Sequence, residues 1–169
     1  MTIVQPDMNL ARRMMRLGLI AALVVIALDQ FSKWLMADKV LADGRSIVVA
    51  PFLDFVVVWN RGVSFGLFNR DWNGAPWVLS AVAVAVTVLL MVWLTRQRSA
   101  LSAVAIGVII GGAVANVIDR ARFGAVFDFI DVHVAGWHWP AFNLADSAIT
   151  VGVVALLVDS LLRERQSKS

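Results

Sequence analysis

The sequence has no cysteine and only two histidines, His133 and His138. A chain without cysteine has no disulfide framework, no thiolate metal site and no cysteine nucleophile. The two imidazoles do not stand in an HExxH pattern, and with the nearby acids they match no familiar zinc-ligand spacing, so no metal or other cofactor is expected. Charge is scarce as well. Only 16% of the 169 residues are charged, against about 25% in an ordinary soluble domain. The sequence pI near 10.2 overstates the basicity, because the net charge is +3. No Lys/Arg run is long enough for a basic patch, which argues against a nucleic-acid partner. Ser64, in GVSFG, sits between glycines like a serine-hydrolase elbow, but it does not lead from a strand into a helix. No internal repeat or low-complexity tract is present.

What remains is apolar. Hydrophobic residues make up 60% of the chain, and the mean hydropathy is +0.78. A membrane-spanning helix needs about 20 such residues. Four windows qualify: Leu17–Leu35, Pro76–Leu94, Leu101–Ile118 and Ala141–Leu162. The first is not a cleaved leader, since LDQFSKWLM has no small-residue cleavage site. The expected fold is one integral membrane α-helical domain over residues 1–169. It has four transmembrane helices and a small β-containing loop region between helices 1 and 2. Ser46 to Trp59, β-branched and aromatic, reads as one or two short strands there. Asn69 to Gly74 reads as a turn.

The short segments on one side carry Arg12, Arg13, Arg16, Arg96, Arg98, Arg163, Arg165 and Lys168, against Asp7, Asp159 and Glu164. Basic loops face the cytoplasm, so both termini are expected inside and the loops at about 36–75 and 119–140 outside. Trp72, Trp77, Trp137 and Trp139 then fall at the outer boundary, where aromatic residues anchor a membrane protein.

Polar residues inside the spans are the costly ones. Asp29 and Lys33, at i and i+4, share a helix face and can pair. They either tie helices together or support a site at the outer face. Gly112, Asn116 and Arg120 share a face of the third helix, with Asp119 beside them. Gly111 and Gly112 allow close helix approach. Asn116 alone could be interhelical glue. Asp128, in AVFDFID, stands at the edge of an apolar run, and Asp146 just inside the last span. Singly, Asp128 could pair with Arg120 or Arg122. Asp146 could cap its helix, although Pro140 and Ala141 suggest that the helix has already begun, and Asn143 is the better-placed cap. Jointly, two acids at one membrane face form a candidate site. Two close carboxylates do not both ionise comfortably, so one keeps a proton while the other acts as a base. Such a pair can activate water on a peptide bond. The alternatives are a small transporter or channel using intramembrane Asp, Lys and Arg, and a structural membrane protein.

Five blocks carry a resemblance: DQFSK (Asp29–Lys33), NRGVSFG (Asn60–Gly66), GGAVANVIDR (Gly111–Arg120), VFDFID (Val126–Asp131) and FNLAD (Phe142–Asp146). In this order and placement the chain resembles the bacterial lipoprotein signal peptidases, or signal peptidase II, aspartyl proteases of the inner membrane. Ala115 departs from a glycine frequent in that family. The resemblance implies that Asp128 and Asp146 are the catalytic dyad. Asn60, Asn116 and Arg120 would line the site, and Asp29, Lys33, Asp119, Asn143 and Gly111 would support it. It also implies substrates that are prolipoproteins with a diacylglyceryl-modified Cys, cut just before that Cys, and contact with membrane lipids. A monomer working without a cofactor or metal, and a small periplasmic β-structure, are expected.

Overall fold

The structure, a computed structural model, describes residues 8–40, 43, 45–62 and 74–168. Ser64, Trp72 and most of the expected turn at 69–74 lie outside the described residues, as do Asp7 and the side chains of Arg165 and Lys168. Four helices are long and apolar enough to cross a membrane. They are α1 (Met8–Val40), α2 (Ala75–Leu94), α3 (Ala100–Phe123) and α4 (Leu144–Lys168). Strands β1 (Ile47–Ala50) and β2 (Leu53–Asn60) follow α1, and β3 (Val126–Val134) and β4 (Trp137–His138) follow α3. This is a multi-pass membrane protein.

The third helix is the hub. Two-thirds of its apolar window is buried (67%), against 11% for α2 and α4. Lipid tails are as apolar as leucine, so helices in a bilayer associate through close packing and polar contacts. Glycine permits that closeness here. A Cβ on Gly107 would lie 2.1 Å from the backbone oxygen of Gly18 in α1. One on Gly111 would lie 2.6 Å from the oxygen of Ala22. One on Gly112 would lie 2.5 Å from the oxygen of Ala145 in α4. At its start α3 is capped by Ser99, whose side chain accepts from the Ser102 N–H. It stops at Gly124, whose φ of 69° is the left-handed conformation that suits a helix terminus.

The four strands form one antiparallel sheet in the order β1-β2-β3-β4. The expected strands between α1 and α2 are present, but they make only half of it. The other half comes from the connection between α3 and α4, so the two long connections are joined into a single platform at one end of the bundle. The last helix also differs from expectation. It begins at Leu144, after Pro140 and Ala141. Those two residues precede it because Phe142 is bridged to Ile130 of β3 and holds the chain extended up to that point.

Candidate active site

Asp128 is presented by a strand. β2 carries one extra residue between Phe55 and Val58, after which Val58 opposes Asp128 and Asn60 opposes Val126. Opposed residues and their i±2 neighbours share a sheet face, which puts Asn60 diagonally beside Asp128. Its Nδ2 donates to Asp128 Oδ2 at 3.0 Å. The Asn60 oxygen is already taken, accepting from the Gly62 N–H at 2.8 Å. The amide is thereby oriented with its nitrogen toward the acid.

Asp146 is presented by the first turn of α4. The Phe142 N–H donates to Ile130 O at 3.0 Å, and the Ile130 N–H donates to Phe142 O at 2.9 Å. This pairing sets the next residue, Asn143, against β3. Asn143 Oδ1 accepts from the Asp146 N–H at 3.0 Å, and Asp146 Oδ2 accepts from the Asn143 N–H at 3.2 Å. That is a capping box with aspartate in the third helical position. The helix cap is therefore Asn143, and Asp146 is its reciprocal partner.

Asn143 also joins the two acids, since its Nδ2 donates to Asp128 Oδ1 at 2.7 Å. Asn116 Nδ2 donates to Asp146 Oδ1 at 2.8 Å. Each of the four carboxylate oxygens thus accepts from an amide. The alternative partners of Asp128, Arg120 and Arg122, do not bond to it. Arg122 instead donates to Gln30 Oε1 at 3.4 Å and lies over the Phe123 ring.

The two acids differ in exposure. Asp128 is 1% exposed. Burial pushes its carboxyl up to about 6, the Asn60 hydrogen bond pulls against that rise, and the charge of Asp146 adds to it. Asp146 is half-buried and lines a groove of about 380 Å³ with Trp139, Phe142, Ser147, Thr150 and Val151. A shielded acid beside an accessible one is an arrangement that can hold a proton on one and a water on the other.

Behind this pair lies a buried ionic cluster. Lys33 Nζ is 2.8 Å from Asp29 Oδ2 and 2.7 Å from Asp119 Oδ2. It also donates to Asn116 Oδ1 at 3.2 Å. The expected pairing of Asp29 with Lys33 is present, and Asp119 makes it a triad. Sequence reading missed Gln30, whose Nε2 donates to Asp119 Oδ1 at 2.8 Å. The signal was available, since an amide in a membrane span is costly for the same reason as its neighbour Asp29. Arg120 lies within electrostatic reach of Asp146, Asp128 and Asp119. Its Nε is buried and has no hydrogen-bond partner among the described residues. Gly111 faces Ala22 and Val25 of α1, so it serves helix packing and not the surroundings of the acids.

His133 and His138 stack at 4.9 Å. His138 Nδ1 meets Asp131 Oδ2 at 2.8 Å. Strand alternation puts His133 and Asp131 on the face of β3 opposite Asp128.

The fold and this arrangement define a class: a multi-pass membrane protein with a two-carboxylate site built where a sheet meets the end of a helical bundle. Residues 21–162 match the family model described as signal peptidase (SPase) II. The lipoprotein signal peptidase of Methylorubrum extorquens is 53% identical over 147 residues, which are 86% of this chain and 86% of that one. That of Anaplasma phagocytophilum is 44% identical, over 89% of this chain and 95% of its own. A bacterial membrane enzyme determined by the in meso method at 1.9 Å resolution has a TM-score of 0.72 at 29% identity, covering 85% of this chain and 92% of that one. The chain belongs to the signal peptidase II family and is a protease. A transporter or channel role is not favoured.

Proposed function

We propose that this protein removes signal peptides from prolipoproteins whose Cys carries a diacylglyceryl group, cutting just before that Cys with water activated by Asp128 and Asp146. The observation that carries this reading is the shielded Asp128 and the accessible Asp146, held together through one asparagine. Asp128, the carboxyl raised by burial, keeps the proton and polarises the scissile carbonyl. Asp146, open to the groove, takes a proton from water as the water attacks. A tetrahedral diol forms and collapses as the leaving amine is protonated. No acyl-enzyme, metal or cofactor takes part. Arg120, half-buried and within electrostatic reach of both acids, supplies a positive charge beside the pair.

Residues 1–169 act as one monomeric domain in the bacterial cytoplasmic membrane. Both termini lie in the cytoplasm and the sheet and acids near the periplasmic face, as the basic residues Arg12, Arg13, Arg16, Arg96, Arg98 and Arg163 favour. A reporter fused after Ser169 checks the side. A substrate anchored by its signal helix and its lipid arrives at the depth of Asp146, beside Trp137 and Trp139, which are exposed as interfacial anchors are. Purified protein in detergent is expected to cut a diacylglyceryl-modified precursor and to cut the unmodified precursor poorly or not at all. Equal cleavage of both would overturn the lipid requirement, and cleavage of neither would overturn the reading.

A further inference from the structure

Each proposed catalytic aspartate is preceded by a residue whose backbone N–H is held by a buried carboxylate. The N–H of Ala145, before Asp146, donates to Asp29 Oδ1 at 2.8 Å. The N–H of Phe127, before Asp128, donates to Asp119 Oδ2 at 3.3 Å. Both carboxylates grip the same ammonium, Lys33, at 2.8 and 2.7 Å. Asp29 is 0% exposed, Asp119 1% and Lys33 6%. We infer that Asp29, Lys33 and Asp119 are positioning residues, a two-armed clamp that fixes the separation of the catalytic pair by holding the backbone immediately before each member.

This rests on the reading of Asp128 and Asp146 as the dyad, and it adds a physical reason for an ionic triad in the membrane. Three charges taken out of water are expensive, and replacing such groups with apolar ones is often no loss to stability alone. A salt bridge that only tied helices together would need Lys33 and one acid. Here the second acid reaches a different element. Asp29 is on α1 and holds the head of α4, whereas Asp119 is on α3 and holds β3. Lys33 makes the two arms one object. It also donates to Asn116, which in turn donates to Asp146. Movement of either arm changes the distance between two carboxyls that must share a proton and a water.

The arms differ in a way that allows a sharp test. Asp29 serves Ala145 with Oδ1 and Lys33 with Oδ2, which also accepts a longer 3.4 Å bond from Gln30. Asparagine there has one oxygen, so one partner meets an NH₂ group and the arm opens. Asp119 serves Phe127 and Lys33 with the same oxygen, Oδ2. Asparagine there can keep both contacts, with its nitrogen toward Gln30, whose amide turns to accept and gives up only its two long contacts, with Arg122 and Asp29, at 3.4 Å each. The two substitutions remove the same charge from the same lysine. Any role that counts only charge makes them equivalent.

The experiment measures kcat, KM and the pH profile on the lipid-modified precursor for Asp29→Asn, Asp119→Asn and Asp119→Ala. Thermal unfolding in detergent checks the fold of each. The parent must cut and Asp128→Asn must not, which tests the dyad reading first and separately. Asp119→Asn is expected to keep kcat within about fivefold of the parent, whereas Asp29→Asn and Asp119→Ala lose about 100-fold, the scale of a misplacement of about 1 Å. KM is expected to change less than about threefold, because the lost contacts touch no substrate. In the two impaired variants the apparent pKa values of the pair are expected to draw together, as carboxyls held less closely repel less. Equal losses in the two Asn variants would overturn the clamp, as would folded Asp29→Asn with the parental kcat and pH profile. If Asp29→Asn yields no folded protein, position 119 decides. Near-parental Asn with impaired Ala supports the clamp, and any other order contradicts it.

Discussion

Asp128 is the residue whose surroundings say most about the chemistry. It is buried at a sheet–helix junction and, among the described residues, accepts only from neutral amides. Burial raises its carboxyl to about 6 from an ordinary 3.8. A raised folded-state value means that the native protein binds this proton more tightly than the unfolded chain. The stability the group contributes is therefore full below about 3.8 and is lost as pH rises through about 6. Evolution gains nothing in stability from an ionised Asp128, which fits a group kept for its proton. The Asn60 amide stabilises the ionised form. Removing it, in Asn60→Ala, is expected to raise the Asp128 carboxyl further and to move the high-pH limb of kcat/KM upward by roughly one unit. A limb that stays in place or moves down would show that another group controls it. Residue types and spacing alone made Asp128, Asp146, Asn116 and Lys33 legible as candidates. They did not show that Asn143, a cap by its spacing and a supporting residue by the resemblance, bonds to both acids.

At the scale of elements, the four spans were readable as apolar runs, because a bilayer demands length and hydrophobicity and little else. Their ends were not. α1 extends back to Met8, since Arg12, Arg13 and Arg16 are good helix formers whether or not lipid surrounds them. α4 starts late because of a bridge between Phe142 and Ile130, a contact between segments that no local pattern announces. β3 was hidden for a similar reason. VFDFIDVHV does not alternate strictly, and its first four residues are buried, so it resembled the tail of an apolar run. The contact of α1 with α3 depends on Gly107, where any side chain meets the backbone of Gly18 at 2.1 Å. Gly107→Ala would ordinarily favour a helix. Here it is expected to destabilise the protein by about 1–3 kcal/mol through overpacking, read as a lower melting temperature in detergent. A melting temperature equal to or above that of the parent would show that α1 can move aside.

At the scale of the molecule, the proposed site draws on residues 29, 33, 60, 116, 128 and 146, from three helices and two strands. The sheet links the two long connections, α3 supplies Asn116 and Asp119, and α4 opens on the capping box that carries Asp146. Only the complete topology brings them together, which is why their order along the chain pointed to a family while their bonding could not be read from it. Signal peptidase II membership and the two-carboxylate geometry converge on one claim, that Asp128 and Asp146 work as a unit on water. The most direct measurement is cleavage of a diacylglyceryl-modified precursor by the parent, Asp128→Asn, Asp146→Asn and the double variant, each shown to be folded in detergent. Asparagine keeps the shape and part of the hydrogen bonding but neither takes nor passes a proton. Each single variant is expected to lose nearly all turnover, and the double variant to be little worse than either, since members of a catalytic unit are strongly non-additive. Near-parental cleavage by either folded single variant would remove that aspartate from the dyad and contradict the account.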